Sequence, residues 1–131
     1  MNSKGGLRLS LEAEPQSIGT ARSAVAALAE EIGMIEPALG DAKTVVSEAC
    51  SNVVRHAYPE RAGSFELEAF AAGEELSIIV RDFGGGVKPQ LEPDPGGLRL
   101  GIGLISKLSS HYEISGHGEG GTEVRISVPM S

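Results

Sequence analysis

Cysteine is nearly absent from this chain. Cys50 is the one example in 131 residues, so no internal disulfide forms, and no Cys/His spacing resembles a zinc site. No basic group is placed to activate Cys50, which reads as a small packing residue. Tryptophan is missing and aromatics make up 4%, so the core must be mainly aliphatic. No stretch approaches the roughly 20 apolar residues of a membrane span. Met1 to Leu11 carries no apolar run of signal-peptide type. A reduced, cytoplasmic setting is therefore expected. Basic runs are also lacking, and the formal net charge is -7. That balance argues against sustained binding to nucleic-acid phosphates or an anionic membrane face. Gly-Lys-Ser/Thr occurs nowhere, which excludes a P-loop.

What is present fits one globular domain, with 40% hydrophobic and 22% charged residues. Leu7, Leu9 and Leu11 alternate with polar residues and predict a strand. Ile18, Ala21, Val25, Leu28 and Ile32 follow Pro15 at helical spacing, and Gly33 is placed to end that helix. A second helix is expected from near Pro37 to near Tyr58-Pro59, with Leu39, Ala42, Val45, Val46, Ala49 and Val53 on its apolar face. Phe65 to Ala69 and Leu76 to Val80 read as a hairpin turning at Ala72-Gly73-Glu74. Residues 87–100 read as a long proline-rich loop, a length that is usually functional or mobile. A short helix beginning near Gly101 and two strands, Tyr112 to Ser115 and Thr122 to Val128, complete the order. Two adjacent strand pairs argue against an all-parallel sheet. The expected fold is α+β: a two-layer sandwich with helices on one face of a mixed, mostly antiparallel sheet.

Four features can carry chemistry. Glu48, Asn52 and His56 recur every fourth residue and share one face of the second helix. Taken singly each is an ordinary solvated polar residue. Together they place an acid and an amide one turn apart, hard oxygen donors of the kind Mg²⁺ accepts. Asp82-Phe83-Gly84-Gly85-Gly86 closes a strand; its carboxylate can accept from an amino group, although Asp-x-Gly is also common turn chemistry. Gly101-Ile102-Gly103 opens a helix, where unpaired N–H groups favour anions, although two glycines there are often only a tight turn. Gly120-Gly121-Thr122 precedes the last strand and by itself says little.

The order and spacing of these pieces resemble the ATP-binding fold shared by gyrase, heat-shock chaperones, sensor histidine kinases and mismatch-repair ATPases. Within it, the short chain and the run from Val46 to Tyr58 resemble the anti-sigma-factor serine kinases. The resemblance spans the chain from its first strand to Val128 and implies one ATP-binding domain over residues 1–131, with a lid at about 87–100. It implies that Asn52 holds the Mg²⁺ that bridges the ATP phosphates, and that Glu48 orients and deprotonates the attacking hydroxyl. It assigns Asp82 to the adenine amino group, with Gly84, Gly86 and Thr122 at the adenine end. Gly101, Gly103 and Arg99 fall on the phosphate side. His56 matches a family histidine without an assigned step.

The function implied is an ATP/ADP-binding anti-sigma regulator and protein serine/threonine kinase. It would phosphorylate an anti-sigma factor antagonist and sequester a sigma factor. It would act as a homodimer, with no nucleic-acid or membrane partner. The alternative is a nucleotide-dependent protein-binding switch with little or no transfer. Glu48 favours the enzyme; Leu100, where related kinases carry a small polar residue, and the acidic, proline-rich lid favour the switch. A detached histidine-kinase catalytic domain ranks last, since no dimerisation helix with a phosphoacceptor histidine precedes the motifs.

Overall fold

The computed structural model describes residues 6–58, 62–84, 98–117 and 121–131, without side chains for 98–102 and 117. Among them the order is β1 (Gly6–Glu12), α1 (Pro15–Glu31), α2 (Ala38–His56), β2 (Ser64–Ala72), β3 (Glu75–Asp82), α3 (Leu98–Leu108), β4 (His111–His117) and β5 (Gly121–Pro129). The strands form one sheet in the order β1-β2-β3-β5-β4, and each ladder is antiparallel.

Local chemistry sets the boundaries. Helix α1 ends in a Schellman motif: Gly33 N–H donates to the Glu30 carbonyl at 3.1 Å and Met34 N–H to that of Ala29 at 2.9 Å. Gly33 adopts φ +97°, which its missing Cβ permits. At the start of α2, the Glu36 carboxylate accepts the Gly40 N–H at 2.9 Å, satisfying a donor the helix leaves unpaired. Ala72 pairs with Glu75, so the β2–β3 hairpin turns on Gly73 and Glu74 alone. Positive φ at Gly73, the first of the two, is the pattern of a type II′ turn, whose twist matches the strands.

Strand alternation puts Phe65, Leu67 and Ala69 of β2 and Leu76, Ile78 and Val80 of β3 on the inner face, fully buried with Ile126 and Val128 of β5. Helix α2 lies between α1 and α3 and packs over β3 and β5. Its Ala42, Val45, Val46, Ala49, Cys50 and Val53 join the same core. Burial of each large aliphatic side chain stabilises by roughly 1.5–3 kcal/mol.

The outer face carries charge. Arg81 Nε lies 2.7 Å from Glu123, Nη2 3.0 Å from Glu68 and Nη1 3.4 Å from Glu66. Burial alone would raise the Glu123 carboxyl, but hydrogen bonds from Arg125 and Arg81 outweigh it and hold the group below its ordinary range.

Cys50 is fully buried, and that burial pushes its thiol up to about 12. The unfolded thiol ionises near 8.5. This raised folded value gives stability that is complete below the unfolded pKa and is lost as pH climbs toward the folded one. Between about pH 8 and about pH 10, wild type should therefore lose roughly 1–2 kcal/mol more than Cys50→Ala. Urea melts of both proteins across that range check this, and parallel pH profiles would remove it.

Candidate functional site

The polar face of α2 does not point to bulk water. Asn52 is 8% exposed, and Glu48 and His56 are half-buried. The Asn52 Oδ1 and the His56 Nε2 are both buried and have no hydrogen-bond partner among the described residues. An unpaired buried acceptor costs roughly 1–3 kcal/mol, so such an atom calls for a bound water, an ion or a ligand. Glu48 sits one turn before Asn52, about 6 Å along the helix axis.

The end of β3 supplies the second part. Leu76, Ile78 and Val80 point inward, and Asp82 takes the next inward slot at 4% exposure. A carboxylate in a slot of that kind needs partners. Gly84 N–H donates to its Oδ1 at 3.1 Å. Thr122 stands opposite Asp82 in the β3–β5 register and is 7% exposed, so residues forty positions apart become neighbours on the inner face.

Backbone contact joins these two parts. A Cβ on Gly84 would overlap the carbonyl oxygen of Ala57, just past the end of α2. Beside it, the Tyr58 hydroxyl accepts the Phe83 N–H at 2.9 Å and donates to the Ser64 carbonyl at 2.6 Å. Asn52 lies five residues before Ala57, or about 7 Å of helical rise from the point where Gly84 touches α2.

Helix α3 starts at Leu98 rather than near Gly101. Gly101 is the fourth helical residue, just past the N–H groups of the cap and first three residues that lack intrahelical acceptors. Gly103 lies beyond them, and a Cβ there would meet nothing within 4 Å among the described residues. Gly86, Gly120 and residues 87–97, where a lid is expected, lie outside the described residues, as do the side chains of Arg99 and Leu100.

Residues 11–128 match the histidine kinase-like ATPase domain. The chain belongs to that family. A domain of this kind binds nucleotide. Among similar proteins is an anti-sigma F factor of Thermoanaerobacter sp. (strain X514), 27% identical, with 92% of this chain and 91% of the relative covered. Another is the serine-protein kinase RsbW of Halalkalibacterium halodurans (strain ATCC BAA-125), 30% identical over 82% of this chain and 74% of the relative. A solved structure of the RsbU and RsbW domains of a Mycobacterium tuberculosis protein superposes with a TM-score of 0.69 at 25% identity; it covers 95% of this chain and 32% of that one. The family's anti-sigma serine-kinase branch is thus the one the sequence resembles.

The chemistry of Asn52 fits the ion that the resemblance implies. Mg²⁺ takes oxygen donors, keeps several waters and needs few protein groups when phosphates supply the rest. The orphaned Asn52 Oδ1 is such a donor. Sequence patterns do not disclose the Tyr58 link or the Gly84–Ala57 approach. The run Ala57-Tyr58 beside Gly84 carries the only signal, a small residue meeting a glycine across the fold.

Among the described residues no helix is long and apolar enough to cross a membrane.

Proposed function

We propose that this chain is a single-domain, cytoplasmic anti-sigma regulator that binds ATP and moves its γ-phosphoryl group to a serine or threonine of an antagonist protein. In the same reading it also binds a sigma factor and keeps it from RNA polymerase. The observation that carries the proposal is the Asn52 amide oxygen, buried, without a partner among the described residues and one turn from Glu48.

In this mechanism Asn52 would hold Mg²⁺, which would neutralise charge that develops on the phosphate oxygens. Asp82 and Thr122 take the adenine end, with Gly84 and Gly86 shaping it. Gly101, Gly103 and Arg99 face the phosphates at the end of a lid over about residues 87–100. Glu48 orients the attacking hydroxyl and accepts its proton. The serine Oγ–P bond forms as the bond from the γ-phosphorus to the β,γ-bridging oxygen breaks, and ADP leaves with that electron pair. The edge position of β1, with one side of its backbone unpaired, suits pairing with a second copy. A monomer in light scattering at micromolar concentration would remove that part.

Calorimetry tests the core of the proposal. Wild type is expected to bind ATP with Mg²⁺ present. Asn52→Ala and Asp82→Asn should each lose tenfold or more, at least about 1.4 kcal/mol. The Asn52 loss should vanish when Mg²⁺ is withheld and the Asp82 loss should remain. Wild-type affinity in both variants would overturn the assignments, and no binding by wild type would end the nucleotide reading.

The second reading, a nucleotide-controlled binding switch, is favoured by Leu100 and the acidic lid sequence. Labelled ATP with a cognate antagonist separates the two, since the switch binds nucleotide and leaves the antagonist unlabelled.

A further inference from the structure

We propose that Tyr58 is a positioning residue that sets base selectivity, by holding the Asp82 turn in the orientation that reads an amino group. The inference rests on the assignment of Asp82 to adenine given above.

One hydroxyl ties the segment between α2 and β2 to the end of β3, twenty-five residues on. Tyr58 follows α2, Ser64 opens β2, and Phe83 follows Asp82 at the end of β3. The hydroxyl donates its proton to the Ser64 carbonyl and accepts the Phe83 amide, using both hydrogen-bonding capacities of a phenol. The ring lies over Gly63, where a Cβ would overlap it. The Phe83 amide belongs to the peptide unit that leaves Asp82, so this bond fixes the plane on one side of the aspartate. The next amide, Gly84 N–H, bonds Oδ1 of the same aspartate at 3.1 Å, and Gly84 itself rests against the Ala57 carbonyl. Two consecutive amides are thus pinned, one to Tyr58 and one to the carboxylate.

That arrangement matters for recognition more than for folding. Tyr58 is half-buried, and its two hydrogen bonds lie at an exposed position, where water can replace the hydroxyl. Phenylalanine keeps the ring over Gly63 and removes the bonds to Ser64 and Phe83. The turn then gains freedom to rotate, and the carboxylate loses its fixed aim. A site that hydrogen-bonds a ligand amine discriminates strongly against a ligand that lacks it, but only while the acceptor is held in place. Tyr58→Phe should therefore lower selectivity for the base and leave the phosphate end untouched.

The test compares ATP with inosine triphosphate, which carries a carbonyl where adenine carries its amino group. In wild type, ATP should bind about tenfold or more tightly than inosine triphosphate. In Tyr58→Phe that ratio should fall about threefold or more, through weaker ATP binding, with the affinity for inosine triphosphate and its Mg²⁺ dependence unchanged. If wild type discriminates and the variant discriminates equally, or loses both ligands in proportion, the role of Tyr58 is wrong and the Asp82 assignment stands. If wild type does not prefer ATP, the Asp82 assignment fails and takes the Tyr58 inference with it. Hydrogen exchange gives a second check that needs no variant to fold. The Phe83 amide of wild type should be protected, and exchange at the unstructured rate would overturn the clasp.

Discussion

Glu48→Gln should slow phosphate transfer to a cognate antagonist by about 10²–10⁴-fold, the range that general-base catalysis contributes. Glutamine preserves length and shape but cannot take the hydroxyl proton. ATP affinity should stay within about threefold, because in the proposed mechanism Glu48 acts on the acceptor and not on the nucleotide. A loss in rate with binding retained separates a group needed in the transition state from one that only binds ground state. Single-turnover transfer from labelled ATP, with saturation confirmed by calorimetry, reads both quantities. An unchanged rate would show that transfer does not use Glu48. A matching loss of ATP affinity would move Glu48 into the nucleotide site instead.

Gly84→Ala should be the most damaging single-methyl change in the described part of the chain. The added carbon meets a backbone carbonyl, that of Ala57, which cannot rotate away as a side chain would. Ala57 is itself 1% exposed, so α2 has little room to retreat. Overpacking of this kind costs about 1–3 kcal/mol or more. In a domain of this size that corresponds to a fall in melting temperature of roughly 10 °C. Nucleotide binding should fall with it, since Asp82 is displaced from Thr122. Gly103→Ala is the informative comparison. It adds a carbon into open space within α3, and alanine favours a helix over glycine by about 0.5–1 kcal/mol. The free protein should melt a few degrees higher. If phosphate approaches that glycine, ATP should nevertheless bind more weakly. Equal stability of Gly84→Ala and wild type would show that α2 and the β3 turn shift apart freely.

Most elements are legible in local sequence patterns. Alternation locates β2 and β3, and Gly33 and Gly73 each mark a turn where a positive φ is needed. Helix α2 follows from its apolar spacing. The beginning of α3 does not: Leu98-Arg99-Leu100 is good helix-forming sequence, but the prolines and glycines ahead of it extend the loop reading. Strand order is also hidden, because the placement of β5 between β3 and β4 depends on sheet register, not on local pattern. The pairing of Asp82 with Thr122 is a product of that register. So is the Arg81–Glu123 contact on the opposite face. Spacing alone puts Asn52 on a polar face; its burial depends on what packs over that face, which periodicity does not report. Tyr58 reads as the residue where a helix gives way to proline, and its hydroxyl partners are set only by folding.

The two ends of the sheet have different freedoms to diverge. At the Asp82 end, the chain leaves β1, enters β2, leaves β3 and crosses from β4 to β5, so four connections emerge at the end that carries Asp82 and Thr122. At the far end β2 and β3 are closed by Gly73 and Glu74 alone, about 23 Å away along β3. Insertions, exchanged segments and altered lengths at the first end retune what is recognised and leave the ladder registers intact. The compact hairpin at the other end is correspondingly the attachment point of choice: a dye or affinity handle at Glu74 lies at the end of the strand furthest from the candidate site.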